Sequence, residues 1–85
     1  MIKIYVLQEQ DNSYQKRYYV LIDPNKIESI TISDERTSNH EFHMWVININ
    51  LPHYSYRLIE ENTSKYYWAS YDKAFEYLKK IGLYI

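Results

Sequence analysis

The sequence predicts an α+β fold: an antiparallel, meander-like sheet of five to six strands with one C-terminal amphipathic helix packed on one face. Three observations carry this expectation. Apolar residues recur at a period of two through most of the chain, in short runs separated by polar turn clusters. Residues 71–81 switch to a period near 3.6. The single glycine, Gly82, stands where that helix should stop.

The first strand covers residues 2–7, with Ile2, Ile4 and Val6 on one face and Lys3, Tyr5 and Leu7 on the other. A polar cluster from Glu9 to Ser13 turns the chain into a second strand, 14–22. Tyr14, Lys16, Tyr18, Val20 and Ile22 share one face of it, and Gln15, Arg17, Tyr19 and Leu21 share the other. The two should pair as a hairpin. Asp23-Pro24-Asn25 stops the run, because proline fixes φ and the Asp side chain caps the turn.

Residues 27–33 form the third strand, with Ile30 and Ile32 opposed to Ser29, Thr31 and Ser33, so one face should be packed and one wet. The fourth strand, 40–51, sets Phe42, Met44 and Val46 against Trp45, Ile47 and Ile49. Both faces are apolar, which predicts a central strand or one whose second face is covered. Pro52-His53 ends it. The fifth strand, 54–61, alternates Tyr54, Tyr56 and Leu58 with Ser55, Arg57 and Ile59. Residues 66–69 are a candidate last strand.

The helix, 71–81, has Ser70 as N-cap and Asp72 in its first turn, where a negative charge suits the helix dipole. Tyr71, Ala74, Phe75, Leu78 and Ile81 form the expected apolar stripe. Lys79 and Lys80 suit the last turn. Gly82 is placed for a left-handed C′ position, with Leu83 folding back on Leu78 in a Schellman motif.

Composition narrows the function. At roughly 100–200 residues per domain, 85 residues make one domain. The absence of cysteine rules out a disulfide framework and any Cys-based zinc or redox site. Ten Lys and Arg against eleven Asp and Glu give a net charge of -1, without the basic excess of a typical nucleic-acid or membrane-surface binder. No apolar run approaches the roughly 20 residues of a membrane span, and the first residues lack a signal-peptide core, so the expected location is the cytoplasm.

Motifs for catalysis are missing. His40 and His43, three apart on a strand, point to opposite faces and cannot chelate one metal; Glu41 and His43 share a face but make only a pair. There is no G-x-S-x-G sequence, and one glycine cannot build a phosphate loop. Glu60 and Glu61 are adjacent and face opposite ways. The expectation is a protein that is not an enzyme and needs no cofactor or metal.

The tyrosines carry the more specific signal. A small core cannot enclose eleven phenol rings whose hydroxyls all need partners, so several must be exposed. Some serve as cross-strand pairs, since tyrosine suits half-wet sheet positions. The rest form an interface, for which the candidates are Tyr14, Arg17, Tyr18, Tyr19, Trp45, Tyr54, Tyr56, Tyr67 and Trp68. The favoured partner is a protein, either a second copy or a host target, with Lys3, Lys16, Arg17 and Arg57 as a polar rim. Single-stranded nucleic acid is the alternative, because 14–19 interleaves cations with rings, but the cations are scattered. A small ligand in an aromatic pocket is the other. In size, AT-rich codon bias and layout the chain resembles the small accessory proteins of phages and mobile elements. That resemblance implies binding to a host factor and assigns no residue a role.

Overall fold

A computed structural model describes residues 1–9, 15–35, 43–61, 63 and 65–83, with the backbone alone for 8, 9 and 15–17. The elements are β1 (Ile2–Glu9), β2 (Gln15–Ile22), a 3-10 turn (Pro24–Lys26), β3 (Ser29–Asp34), β4 (Trp45–Asn50), β5 (Ser55–Leu58) and α1 (Tyr71–Lys80). All five strands form one antiparallel sheet in the order β2-β1-β5-β4-β3, and the fold is α+β.

Neighbours in sequence are neighbours in the sheet, with one break. The β1–β2 hairpin joins the β3-β4-β5 meander through β1 and β5, so consecutive strands β2 and β3 become opposite edges. A flat sheet would hold those edges about 19 Å apart at about 4.8 Å per strand. The link between Ile22 and Ser29 places three of its residues in the 3-10 turn, which rises only about 2 Å per residue. Such a link is close to taut unless the sheet curls. Both its ends dock on one core: Ile22 is buried, and Ile27 packs against the same cluster.

The period-two faces fold as the sequence indicates. Ile4 and Val6 of β1, Ile22 of β2, Leu58 of β5 and Ile47 and Ile49 of β4 share the core, with Ile30 and Ile32 of β3 packed against it. Val46, on the opposite face of β4, is also fully buried; this is the covered second face that a doubly apolar run requires. Val6, Val46, Ile47, Ile49, Leu58 and Ile59 have no exposed surface. At about 1.5–3 kcal/mol for each buried aliphatic side chain, these are the dominant stabilising contacts.

Strand ends shift in both directions. β1 runs on to Glu9, into the expected turn cluster, and β3 runs on to Asp34. β5 stops at Leu58, short of residue 61, where Glu60 N turns to the Lys65 carbonyl at 2.9 Å. Residue 27 does not open β3, because the Ile27 N–H is held by the Pro24 carbonyl at 3.2 Å. Asp23 caps that turn, its Oδ1 accepting from Asn25 N at 2.9 Å. β4 begins at Trp45, since Met44 N donates to Asp34 Oδ1 at 3.2 Å instead of to the ladder. The expected strand residues 40–42 lie outside the described residues. Leu51 turns back through a 2.9 Å bond from its N–H to the Tyr54 carbonyl, around Pro52-His53. The run 66–69 contributes one isolated bridge, Trp45 with Trp68, rather than a sixth strand among the described residues.

The helix is capped at both ends as its sequence dictates. Ser70 Oγ accepts from Lys73 N at 3.2 Å. Gly82 adopts φ 83°, and Leu83 N donates to the Leu78 carbonyl at 2.9 Å, completing the Schellman motif. The inward stripe is rotated from the expected one. Ala74, Tyr77 and Leu78 are buried, whereas Tyr71 is exposed and Phe75 half-buried. Tyr77 takes the inner position because its hydroxyl has partners there: it accepts from Glu61 N at 2.9 Å and donates to the Ile59 carbonyl at 3.3 Å. A buried phenol so satisfied is as suitable for a core as an aliphatic side chain. No helix among the described residues is long and apolar enough to cross a membrane.

A tyrosine-lined cleft between two hairpins

β1 and β5 pair only at Val6–Leu58 and Leu7–Arg57. Beyond that point β1 continues with β2, β5 continues with β4, and the two hairpins part. The opening between them is a cleft of about 390 Å³ lined by Leu7, Tyr18, Asn48, Tyr54, Ser55, Tyr56 and Arg57. All the lining residues but one are held by the ladder; Tyr54 lies in the turn just before β5, its carbonyl accepting from Leu51 N at 2.9 Å. Tyr18 is fixed opposite Val6, Tyr56 opposite Ile49, and Arg57 between Leu7 and Asn48.

Polar bonds fix the cleft's β5 wall. Ser55 Oγ donates to Asn50 Oδ1 at 2.6 Å, and Asn50 Nδ2 donates to Ser29 Oγ at 3.0 Å, a chain of three side chains across β5, β4 and β3. Arg57 donates from Nη2 to Glu35 Oε2 at 2.8 Å. The pair is partly exposed, so it contributes little stability and serves to hold the guanidinium in place. The rings of Tyr54 and Tyr56 meet edge to face with centroids 5.1 Å apart.

Burial, and then the neighbouring phenols of Tyr54 and Tyr18, push the Tyr56 hydroxyl up to about 12. Near neutral pH it is therefore an uncharged phenol that gives and accepts hydrogen bonds. That protonation state suits recognition rather than proton abstraction. Burial also raises Tyr77, against the opposing pull of the Glu61 N–H.

The structure sorts the nine interface candidates into groups. Tyr18, Tyr54 and Tyr56 come together in the cleft. Arg17 is placed by register opposite Leu7, with β1 between it and Arg57. Tyr19 lies on the other face of the β1–β2 hairpin, more than half exposed, 6.2 Å from Tyr5 and under the Lys3 ammonium at 4.3 Å. Trp45, Tyr67 and Trp68 sit away from the cleft, near the helix. Trp45 meets Tyr71 edge to face at 5.9 Å. Tyr67 is half-buried and meets Tyr66 at 5.4 Å. Trp68 is buried against Tyr77 at 5.1 Å, so its ring belongs to the core and is not available to a partner. Tyr14 lies outside the described residues, as do His40 and Glu41.

His43 is exposed and contacts the Asp34 carboxylate at 2.5 Å, and no three His, Asp or Glu side chains converge among the described residues. Leu7 and Asn48 are cleft residues that sequence reasoning missed. Their place depends on the β1–β5 pairing, a contact between residues some fifty apart for which the sequence carries no local signal.

Comparison of the chain with known protein families, with curated proteins and with solved structures finds no match.

Proposed function

We propose that this is a non-catalytic binding protein whose cleft receives an aromatic or apolar side chain of a partner protein. The supporting observation is the convergence of Tyr18, Tyr54 and Tyr56 with Arg57 on one opening between two hairpins. Tyrosine and arginine dominate binding hot spots because they bring large contact area with few rotors and still satisfy hydrogen bonds. The cleft suits that use. Apart from Tyr54, its walls are ladder residues, so little order is lost on binding, and the raised Tyr56 phenol stays neutral. The size and codon bias of the chain suit an accessory protein of a phage or mobile element acting on a host protein in the cytoplasm.

The test is affinity capture from the producing cells with the native protein and with Tyr54→Ala in parallel. A partner recovered by the native protein and lost with the variant supports the reading. Equal recovery by both, or none by either, contradicts it. The cleft volume also favours a second reading, a small planar ligand stacked on the same tyrosines, since ligand sites start at about 300 Å³. In that case a small molecule, not a protein, co-purifies and is lost with Tyr54→Ala. If instead the partner were single-stranded nucleic acid, oligonucleotide affinity would fall steeply with salt.

A further inference from the structure

We infer that the protein forms a two-fold dimer by pairing β2 with β2 of a second copy, with Tyr19 on the axis. This goes beyond the cleft reading and involves a different surface. The starting observation is an edge left unpaired by the described residues. β2 pairs with β1 along its whole length, and no other backbone hydrogen bond among the described residues reaches it. Edge strands of this length are usually blunted by proline, a bulge or charge, because free N–H and C=O groups template pairing. Lys16 and Arg17 place charge on the first half of β2, but residues 18–22 carry none of these: they read Tyr-Tyr-Val-Leu-Ile, with Tyr19 56% and Leu21 57% exposed. The other edge, β3, is shorter, shows Ser29, Thr31 and Ser33 on its outer face, and has α1 packed beside it.

Register decides the geometry. In an antiparallel pair, residues directly opposite point to the same face of the sheet. A two-fold axis normal to the sheet must therefore pass through a residue paired with its own copy. Axes at Tyr18 and at Tyr19 engage most of β2. An axis at Arg17 would set two guanidinium-bearing residues directly opposite, which is unfavourable. With the axis at Tyr18, the two Arg17 positions lie on a diagonal about 8 Å apart, within one Debye length at physiological salt. With the axis at Tyr19, Arg17 pairs with Leu21 and Lys16 with Ile22. The two Arg17 positions are then about 13 Å apart along the strands, beyond that length. The axis at Tyr19 also continues an aromatic row already present. Tyr5 and Tyr19 are paired in register and 6.2 Å apart, and the copy's Tyr19 and Tyr5 extend the row across four strands.

The chain contains no cysteine, so a single introduced thiol reports the register without ambiguity. In the proposed dimer the two copies of residue 19 have Cα atoms about 4.5–5.5 Å apart, within disulfide range, whereas the two copies of residue 21 are about 13 Å apart. The experiment is sedimentation analysis of the native protein, Tyr19→Lys, Tyr19→Cys and Leu21→Cys, with oxidation of the two cysteine variants. The expected result is a native dimer, a folded monomer for Tyr19→Lys, a covalent dimer for oxidised Tyr19→Cys, and little cross-linking for Leu21→Cys. A monomeric native protein overturns the inference, and so does a dimer in which Leu21→Cys cross-links as readily as Tyr19→Cys. A ladder of larger species would show head-to-tail pairing of β2 with β3 and overturns it too. None of these outcomes depends on the cleft's partner, which Tyr54→Ala tests separately.

Discussion

Replacing Tyr77 by phenylalanine removes one oxygen atom from the core and leaves the ring. The ring's packing against Trp68, with centroids 5.1 Å apart, is retained. Two hydrogen bonds are lost: the 2.9 Å bond accepted from Glu61 N and the 3.3 Å bond donated to the Ile59 carbonyl. Ile59 is fully buried, so its carbonyl is left without a substitute donor, at a cost of about 1–3 kcal/mol for such a group. The bond is long, which argues for the lower half of that range. Glu61 is exposed, so water can replace part of the second bond. The sum is about 2 kcal/mol, or a Tm lower by roughly 8–16 °C in a domain of this size. Circular dichroism during thermal and urea unfolding measures it.

The effect should also depend on pH in a defined direction. The Tyr77 phenol is raised in the folded protein, chiefly by burial, relative to about 10 when unfolded. Above pH 10 the unfolded chain releases this proton first, so the stabilisation present at lower pH is lost as pH rises. The phenylalanine variant has no such proton. Its deficit should therefore shrink in alkali. A Tm change below about 2 °C at neutral pH, or a deficit that grows above pH 10, would refute the role assigned to this hydroxyl.

The remaining expectations concern the cap, the core and the cleft. Gly82→Ala meets no atom within 4 Å of the added Cβ, so its cost is the left-handed backbone alone, about 1 kcal/mol, and Gly82→Asn should cost less. Leu58→Ala removes a fully buried side chain at the centre of the sheet and should cost about 2–5 kcal/mol by the same unfolding assay. Tyr54→Ala, at a site 56% exposed, loses the edge-to-face contact with Tyr56 and should cost no more than about 1.5 kcal/mol, which leaves the variant folded for the capture experiment. Phenolate absorbance during alkaline titration should show a late component near pH 12 from Tyr56. Tyr54→Phe should bring it lower, because one of the neighbours that raises it is gone.

How much of this was legible in the sequence depends on the range of each contact. Strand faces follow from alternation, and Ile4 and Val6 against Tyr5 and Leu7 needed nothing more. The helix stop followed from one glycine whose φ of 83° other residues rarely adopt. The helix face was misjudged at Tyr71 and Tyr77 because hydropathy cannot tell a phenol with partners from one without. The second strand's place at a sheet edge, the pairing of Leu7 with Arg57 and hence the cleft itself were not legible. They depend on non-local pairing of β1 with β5, which leaves no period in either segment. Composition signalled that eleven tyrosines exceed the core, and three of the six tyrosines among the nine candidates do meet in one opening. It did not signal that Trp68 would be consumed by the core.

The most direct measurement is hydroxyl-radical footprinting of the complex recovered with the native protein. Tyr54 and Tyr71 are both about half exposed, at 56% and 48%, on different parts of the molecule, and so serve as site and internal control. Recognition through the cleft predicts that oxidation of Tyr54 and Tyr18 falls on complex formation while oxidation of Tyr71 is unchanged. Protection of Tyr71 with Tyr54 still reactive would place the partner on the helix side and contradict the proposed site.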